Sequence, residues 1–175
     1  MNVVRQLGKT QKLTICVIGG GNVGSLLLGD LGSKDLVSVR LLTSRPEEWN
    51  NVMEVCSTDG SVKYVGRIDL ISDRPDEVVP DADIILSTVP SNIFPRIVSL
   101  IAPYIKRNAW LGLMPGSGGV EFYTHELAKR TNCAVFGFQR VHGIARIKAY
   151  GRSVYDLGKK THLHLAAVSS ERTQA

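Results

Sequence analysis

The chain has 175 residues, of which 43% are hydrophobic and 21% charged, enough apolar content to bury the core of one domain and too much for a disordered chain. Its 21 lysines and arginines against 16 aspartates and glutamates give +5 without a dense basic run, and the aromatic 6% does not interleave with basic residues, so nucleic acid is excluded as a partner. No apolar stretch reaches the roughly 20 residues of a bilayer-spanning helix, so no membrane partner is expected; residues 1–12 lack the apolar run of a secretory signal, and the expected location is cytoplasmic.

Residues 13–18 form a β-branched run that stops at Gly19-Gly20-Gly21, the pattern of a buried strand entering a tight turn. Val23, Leu26, Leu27 and Leu31 then recur at helical spacing and Gly32 supplies a stop, so the first helix starts inside the glycine turn. Residues 37–42 read as a second strand, broken by Thr43-Ser44-Arg45-Pro46, and Pro46 to Trp49 reads as a helix start. Residues 61–65 and 68–72 read as a hairpin inserted in the crossover. A helical turn at 76–79, a strand at 84–89, a helix at 93–104, a strand at 109–114, a helix at 120–129 and a strand at 133–138 continue the alternation. Three extended runs, 144–149, 153–157 and 162–168, read as closing antiparallel strands. The predicted fold class is α/β: a Rossmann-type, doubly wound, mostly parallel sheet with helices on both faces and antiparallel strands at the C-terminal end. It should span residues 13–168, between a tail at 1–12 and a polar tail at 169–175.

Gly19-x-Gly21-x-x-Gly24 directly follows a strand and opens a helix, the context in which this spacing makes a dinucleotide site. Gly19 permits the turn, Gly21 lets backbone approach a pyrophosphate, Gly24 allows helix and strand to pack closely, and the amides of a helix start at Asn22 and Val23 face phosphate oxygens. The alternative is a glycine-rich turn without ligand. At the end of strand two, where NAD binders carry an acid for the ribose diol, stand Thr43, Ser44 and Arg45. A hydroxyl and a guanidinium suit a 2′-phosphate, so NADP is expected, with NAD as the second choice. The lesser alternative is that Arg45 is only a solvated loop residue; Glu47 and Glu48 lie close enough to serve as substitute ribose ligands.

Two further irregular segments, 88–92 and 114–119, also follow strand ends, so a parallel sheet would gather them with the glycine turn into one crevice. Ser91, Asn92 and Ser117 stand there either as helix caps or as ligand contacts. His162 and His164 alternate along the last predicted strand without metal-ligand spacing, so no metal is expected; His142, in the loop after strand 133–138, is the histidine to test for function. Cys16, Cys56 and Cys133 form no Cys-x-x-Cys pair and are expected to be reduced core thiols.

Gly19-Gly-Gly-Asn-Val-Gly24, Val39 to Thr43, Asp83 to Pro90, Met114-Pro-Gly-Ser-Gly-Gly119 and the Arg-Ile-x-x-Tyr-Gly stretch after Ile144 together resemble the opine dehydrogenases, the octopine and nopaline dehydrogenase family. The resemblance runs from about Lys12 to Val168. It implies an N-terminal nucleotide-binding domain of an oxidoreductase that reduces, with NADH or NADPH, the imine of an amino acid and a 2-oxo acid. It also implies that Gly19 to Gly24 hold the pyrophosphate, Thr43 to Arg45 the adenosine ribose, and Val89, Pro90, Pro115, Gly116 and Ser117 the nicotinamide side. The family's helical domain with its catalytic His and Asp is not expected in this chain, so no catalytic residue carries over. Cofactor binding without turnover is the expectation, with a homodimer as the expected assembly. The rival readings are a relative of ketopantoate reductase or glycerol-3-phosphate dehydrogenase, and a stand-alone NAD(P)-sensing module.

Overall fold

The computed structural model describes residues 12–169, so the two predicted tails lie, apart from Lys12 and Ser169, outside the described residues. Strand β1 (Leu13–Ile18) leads into helix α1 (Asn22–Gly32) and back to β2 (Val37–Leu42). A 3-10 turn, Pro46–Glu48, precedes β3 (Val52–Cys56), β4 (Val62–Arg67) and β5 (Leu70–Ser72). Helix α2 (Pro75–Val78), β6 (Ile84–Ser87), α3 (Phe94–Ile101), β7 (Trp110–Leu113), α4 (Val120–Thr131) and β8 (Ala134–Phe138) follow. The described chain ends with β9 (Gly143–Ala149), β10 (Ser153–Lys159) and β11 (Leu165–Ala167). None of the described helices is long and apolar enough to cross a membrane.

Six strands form one parallel sheet in the order β5-β2-β1-β6-β7-β8, and β11 closes it antiparallel to β8. Counting only the parallel strands, this is the 3-2-1-4-5-6 order of the Rossmann fold. Strand period sorts the core into two layers. Cys16 and Ile18 face the layer holding Phe94, Val98, Ile101 and Leu127 of α3 and α4. Ile15 and Val17 face α1 on the other side. Each such large side chain taken out of water contributes roughly 1.5–3 kcal/mol.

Helix α1 is itself roofed by a second sheet, β4-β3-β10-β9, so Leu26, Leu27 and Leu28 are all buried although they point in different directions. Glycine makes that double burial feasible. A Cβ on Gly29 would lie 2.4 Å from Val55 Cγ2, and one on Gly66 of β4 would lie 2.3 Å from the Gly29 carbonyl oxygen.

The second sheet revises the sequence reading. The strand at 61–65 pairs with β3, which the sequence reading passed over, while the run at 68–72 provides β5, parallel to β2 in the main sheet. These two runs therefore do not form a hairpin with each other. Strands β9 and β10 are antiparallel, but they pack in the second sheet with β10 parallel to β3; only β11 returns to the main sheet. His162 and His164 precede β11 instead of lying along it. Pairing partners here come from packing on α1, and local alternation carries no information about them. All three cysteines are buried, and burial, only partly opposed by Arg40, pushes the Cys16 thiol up to about 12.

Candidate functional site

The order of the main sheet reverses between β1 and β6, and a crevice of about 500 Å3 opens beyond their carboxyl ends. Its floor is the glycine turn. Gly19 has φ +102°, a left-handed conformation that side-chain-bearing residues rarely adopt. A Cβ on Gly24 would sit 2.0 Å from the Gly19 carbonyl oxygen, so the start of α1 can lie against the end of β1 only with glycine there. A Cβ on Gly21 would meet nothing within 4 Å, which leaves room above the turn. The Thr88 hydroxyl donates to the carbonyls of Ile18 and Gly19 at 3.1 and 3.2 Å, tying the turn to the end of β6.

No side chain caps α1, and its first turn holds no acid. The amides of Asn22, Val23 and Gly24 precede the helical ladder, so this terminus offers donors and the positive end of the helix dipole to an anion. The Asn22 side chain is engaged elsewhere: its Oδ1 accepts the Ile147 amide at 2.8 Å and fixes α1 to β9. An uncapped helix start, a glycine cradle and open space above Gly21 together fit a dinucleotide pyrophosphate.

The opposite wall is the segment after β2. Thr43 is buried, Ser44 exposed, and Arg45 half exposed with its guanidinium 4.3 Å over the Tyr150 ring. The same guanidinium donates to both Glu48 carboxylate oxygens at 3.2 Å. Tyr150 meets Trp49 edge-on at 5.4 Å, and Trp49 lies against Gly20, where a Cβ would come within 2.2 Å of the indole. Asp73, Arg96 and Tyr150 complete the lining with Val89 and Ile93. Sequence reasoning missed Asp73, Arg96 and Tyr150, because each arrives from an element distant in the chain.

Pro90 and Ser91 form the exposed turn before α3, where their carbonyls accept the Ile93 and Phe94 amides at 3.0 and 3.3 Å. Neither Ser91 nor Asn92 caps α3 through its side chain, contrary to the capping alternative. Gly116 and Ser117, after Pro115, line a different open groove of about 870 Å3 against residues 137–140 and 164–168. The expected single crevice is thus two cavities along the same sheet edge, because the Gly116 amide bonds to the Phe138 carbonyl at 2.7 Å and turns the loop toward β8.

His142 does not line the crevice. It is buried, with Nε2 3.2 Å from Asp30 Oδ2 and Nδ1 3.3 Å from Met114 Sδ. Asp30 also accepts hydrogen bonds from Lys159 Nζ at 2.7 Å and from the Tyr64 hydroxyl. Burial pushes the Asp30 carboxyl up, but hydrogen bonds from His142, Lys159 and Tyr64 outweigh it and hold the group below its ordinary range. Burial and the Asp30 partner push the Tyr64 hydroxyl up to about 12, so it remains a donor. Among the described residues no three His, Cys, Asp or Glu side chains come together as a metal site would require.

No family model matches the chain. Opine dehydrogenase of Haliotis discus hannai is 30% identical over 170 residues, covering 88% of this chain and 42% of the relative. Octopine dehydrogenase of Mizuhopecten yessoensis is 30% identical over 164 residues, covering 86% of this chain and 41% of the relative. The chain is a homologue of the opine dehydrogenases. A solved octopine dehydrogenase in complex with NADH and L-arginine superposes with a TM-score of 0.82 at 27% identity, covering 90% of this chain and 42% of that one. A yersinopine dehydrogenase bound to NADP+ has a TM-score of 0.71 at 17% identity, covering 91% of this chain and 43% of that one, a likeness of fold. The same holds for the 2-dehydropantoate 2-reductase of Porphyromonas gingivalis W83, with a TM-score of 0.63 at 20% identity over 89% of this chain and 54% of that one. This opine dehydrogenase homologue therefore has the nucleotide-binding fold of NAD(P)-dependent oxidoreductases, and it spans about two-fifths of the length of the curated relatives it matches.

Proposed function

We propose that this chain binds a reduced nicotinamide dinucleotide as the nucleotide-binding domain, residues 13–168, of an oxidoreductase acting on the imine of an amino acid and a 2-oxo acid. The observation that carries the reading is the uncapped start of α1 with Gly24 pressed against the Gly19 carbonyl and open space over Gly21. In this reading the amides of Gly21 to Gly24 hold the pyrophosphate. Thr43, Ser44 and Arg45 take the adenosine ribose, Arg45 being the residue that meets the 2′-phosphate of NADPH. Val89, Pro90 and Ser91 border the path toward the nicotinamide, and Pro115, Gly116 and Ser117 lie further along the same edge. When bound, the reduced nicotinamide supplies hydride to the electrophilic carbon.

The chain's own residues position and shield; they do not complete the chemistry. Among the described residues no histidine lines the crevice, and His142 is turned away against Asp30 and Met114. Proton delivery to an imine nitrogen needs a donor within hydrogen-bond reach. This reading expects cofactor binding without turnover. Calorimetric titration with NADH and NADPH, run beside a steady-state assay with pyruvate and a panel of amino acids, tests this: saturable binding and no turnover are expected. Robust turnover by the chain alone contradicts the non-catalytic assignment.

A further inference from the structure

Granting that the crevice holds a nicotinamide dinucleotide, we propose that Glu48 sets the selectivity between NADPH and NADH by competing with the 2′-phosphate for Arg45. The pair is built by local geometry. Pro46 starts a 3-10 turn, the Glu48 amide donates to the Arg45 carbonyl at 3.3 Å, and the side chains three residues apart meet on the same side. One guanidinium nitrogen reaches both carboxylate oxygens at 3.2 Å, while the guanidinium carbon lies 4.3 Å from the centre of the Tyr150 ring. Tyr150 is in turn held by Trp49, which packs beneath Gly20 of the phosphate turn.

Arg45 is therefore held over Tyr150, with its positive charge already matched by Glu48. A ribose with a free 2′-hydroxyl can use this surface without disturbing it. A 2′-phosphate carries negative charge and draws on the same guanidinium, one nitrogen of which already faces Glu48; it must displace Glu48 or bind the remaining donors beside that carboxylate. Asp73 and Arg96 also line the crevice, one charge of each sign, so the Arg45–Glu48 pair is what tips the balance at the ribose end. The ratio of NADPH to NADH affinity is thus kept lower than Arg45 alone would make it.

The test is parallel calorimetric titration of NADPH and NADH into the unaltered chain, Glu48→Gln, Arg45→Gln and the double variant. Glu48→Gln should raise the NADPH to NADH affinity ratio by about three- to tenfold through tighter NADPH binding, the range that partly screened surface charges supply. The gain should vanish in the double variant. An unchanged ratio with both cofactors still bound overturns the role of Glu48 and leaves the binding site standing. A ratio that rises only because NADH weakens makes Glu48 a ribose ligand and also overturns it. Failure of either cofactor to bind the folded, unaltered chain overturns the site and the selectivity device together.

Discussion

A methyl group at position 24 would lie 2.0 Å from the Gly19 carbonyl oxygen, and neither backbone segment can yield without moving β1 from α1. Gly24→Ala should therefore lower stability by about 2–3 kcal/mol, read from urea midpoints. It should also weaken dinucleotide binding by at least about tenfold through misplaced amides. This glycine was legible from spacing alone. Asp30 was not, because its partners come from β4, β10 and the loop before β9. Its carboxyl is held below the unfolded value of about 3.9, so its contribution is complete above that pH and is lost as pH falls through the folded value. Asp30→Asn should cost about 1–3 kcal/mol near neutrality, with the gap from the unaltered chain closing below about pH 4 in thermal melts. A gap that stays constant down to about pH 2 would show that the Asp30 charge is not what matters.

Among the elements, α1 does the most to join the molecule, since it packs on the main sheet with one face and on the second sheet with the other. Its contact with β4 is made backbone to backbone at Gly29 and Gly66, where a Cβ on Gly66 would fall 2.3 Å from the Gly29 carbonyl oxygen. Gly66→Ala should therefore cost about 2–3 kcal/mol in urea unfolding by lifting the second sheet from the helix. A change under about 0.5 kcal/mol would mean the sheet shifts freely over α1. The main-sheet strands were readable because buried parallel strands are continuous apolar runs. Strand β3, Val-Met-Glu-Val-Cys, is short and broken by a charge, and adjacency is the only local clue to the pairing of the runs at 61–65 and 68–72. Their true partners lie further off in the chain, β3 for the first run and β2 for the second.

At the scale of the whole molecule, strand order alone places the glycine turn, the segment after β2 and the start of α3 around one crevice. The sequence motifs foretold that meeting. They did not foretell Tyr150, which the second sheet delivers to the crevice from the far end of β9, or the separation of Gly116 and Ser117 into their own groove. The first depends on how two sheets share one helix, the second on the Gly116 amide bonding to the Phe138 carbonyl. The central claim is that this crevice binds a nicotinamide dinucleotide, and Trp49, packed under Gly20, is a reporter built into its floor. The direct measurement is Trp49 and Trp110 fluorescence during titration with NADH and NADPH, following energy transfer to the reduced nicotinamide. Saturable quenching that Gly24→Ala removes is the predicted result. A folded chain whose fluorescence responds to neither cofactor, with no heat of binding, would contradict the account.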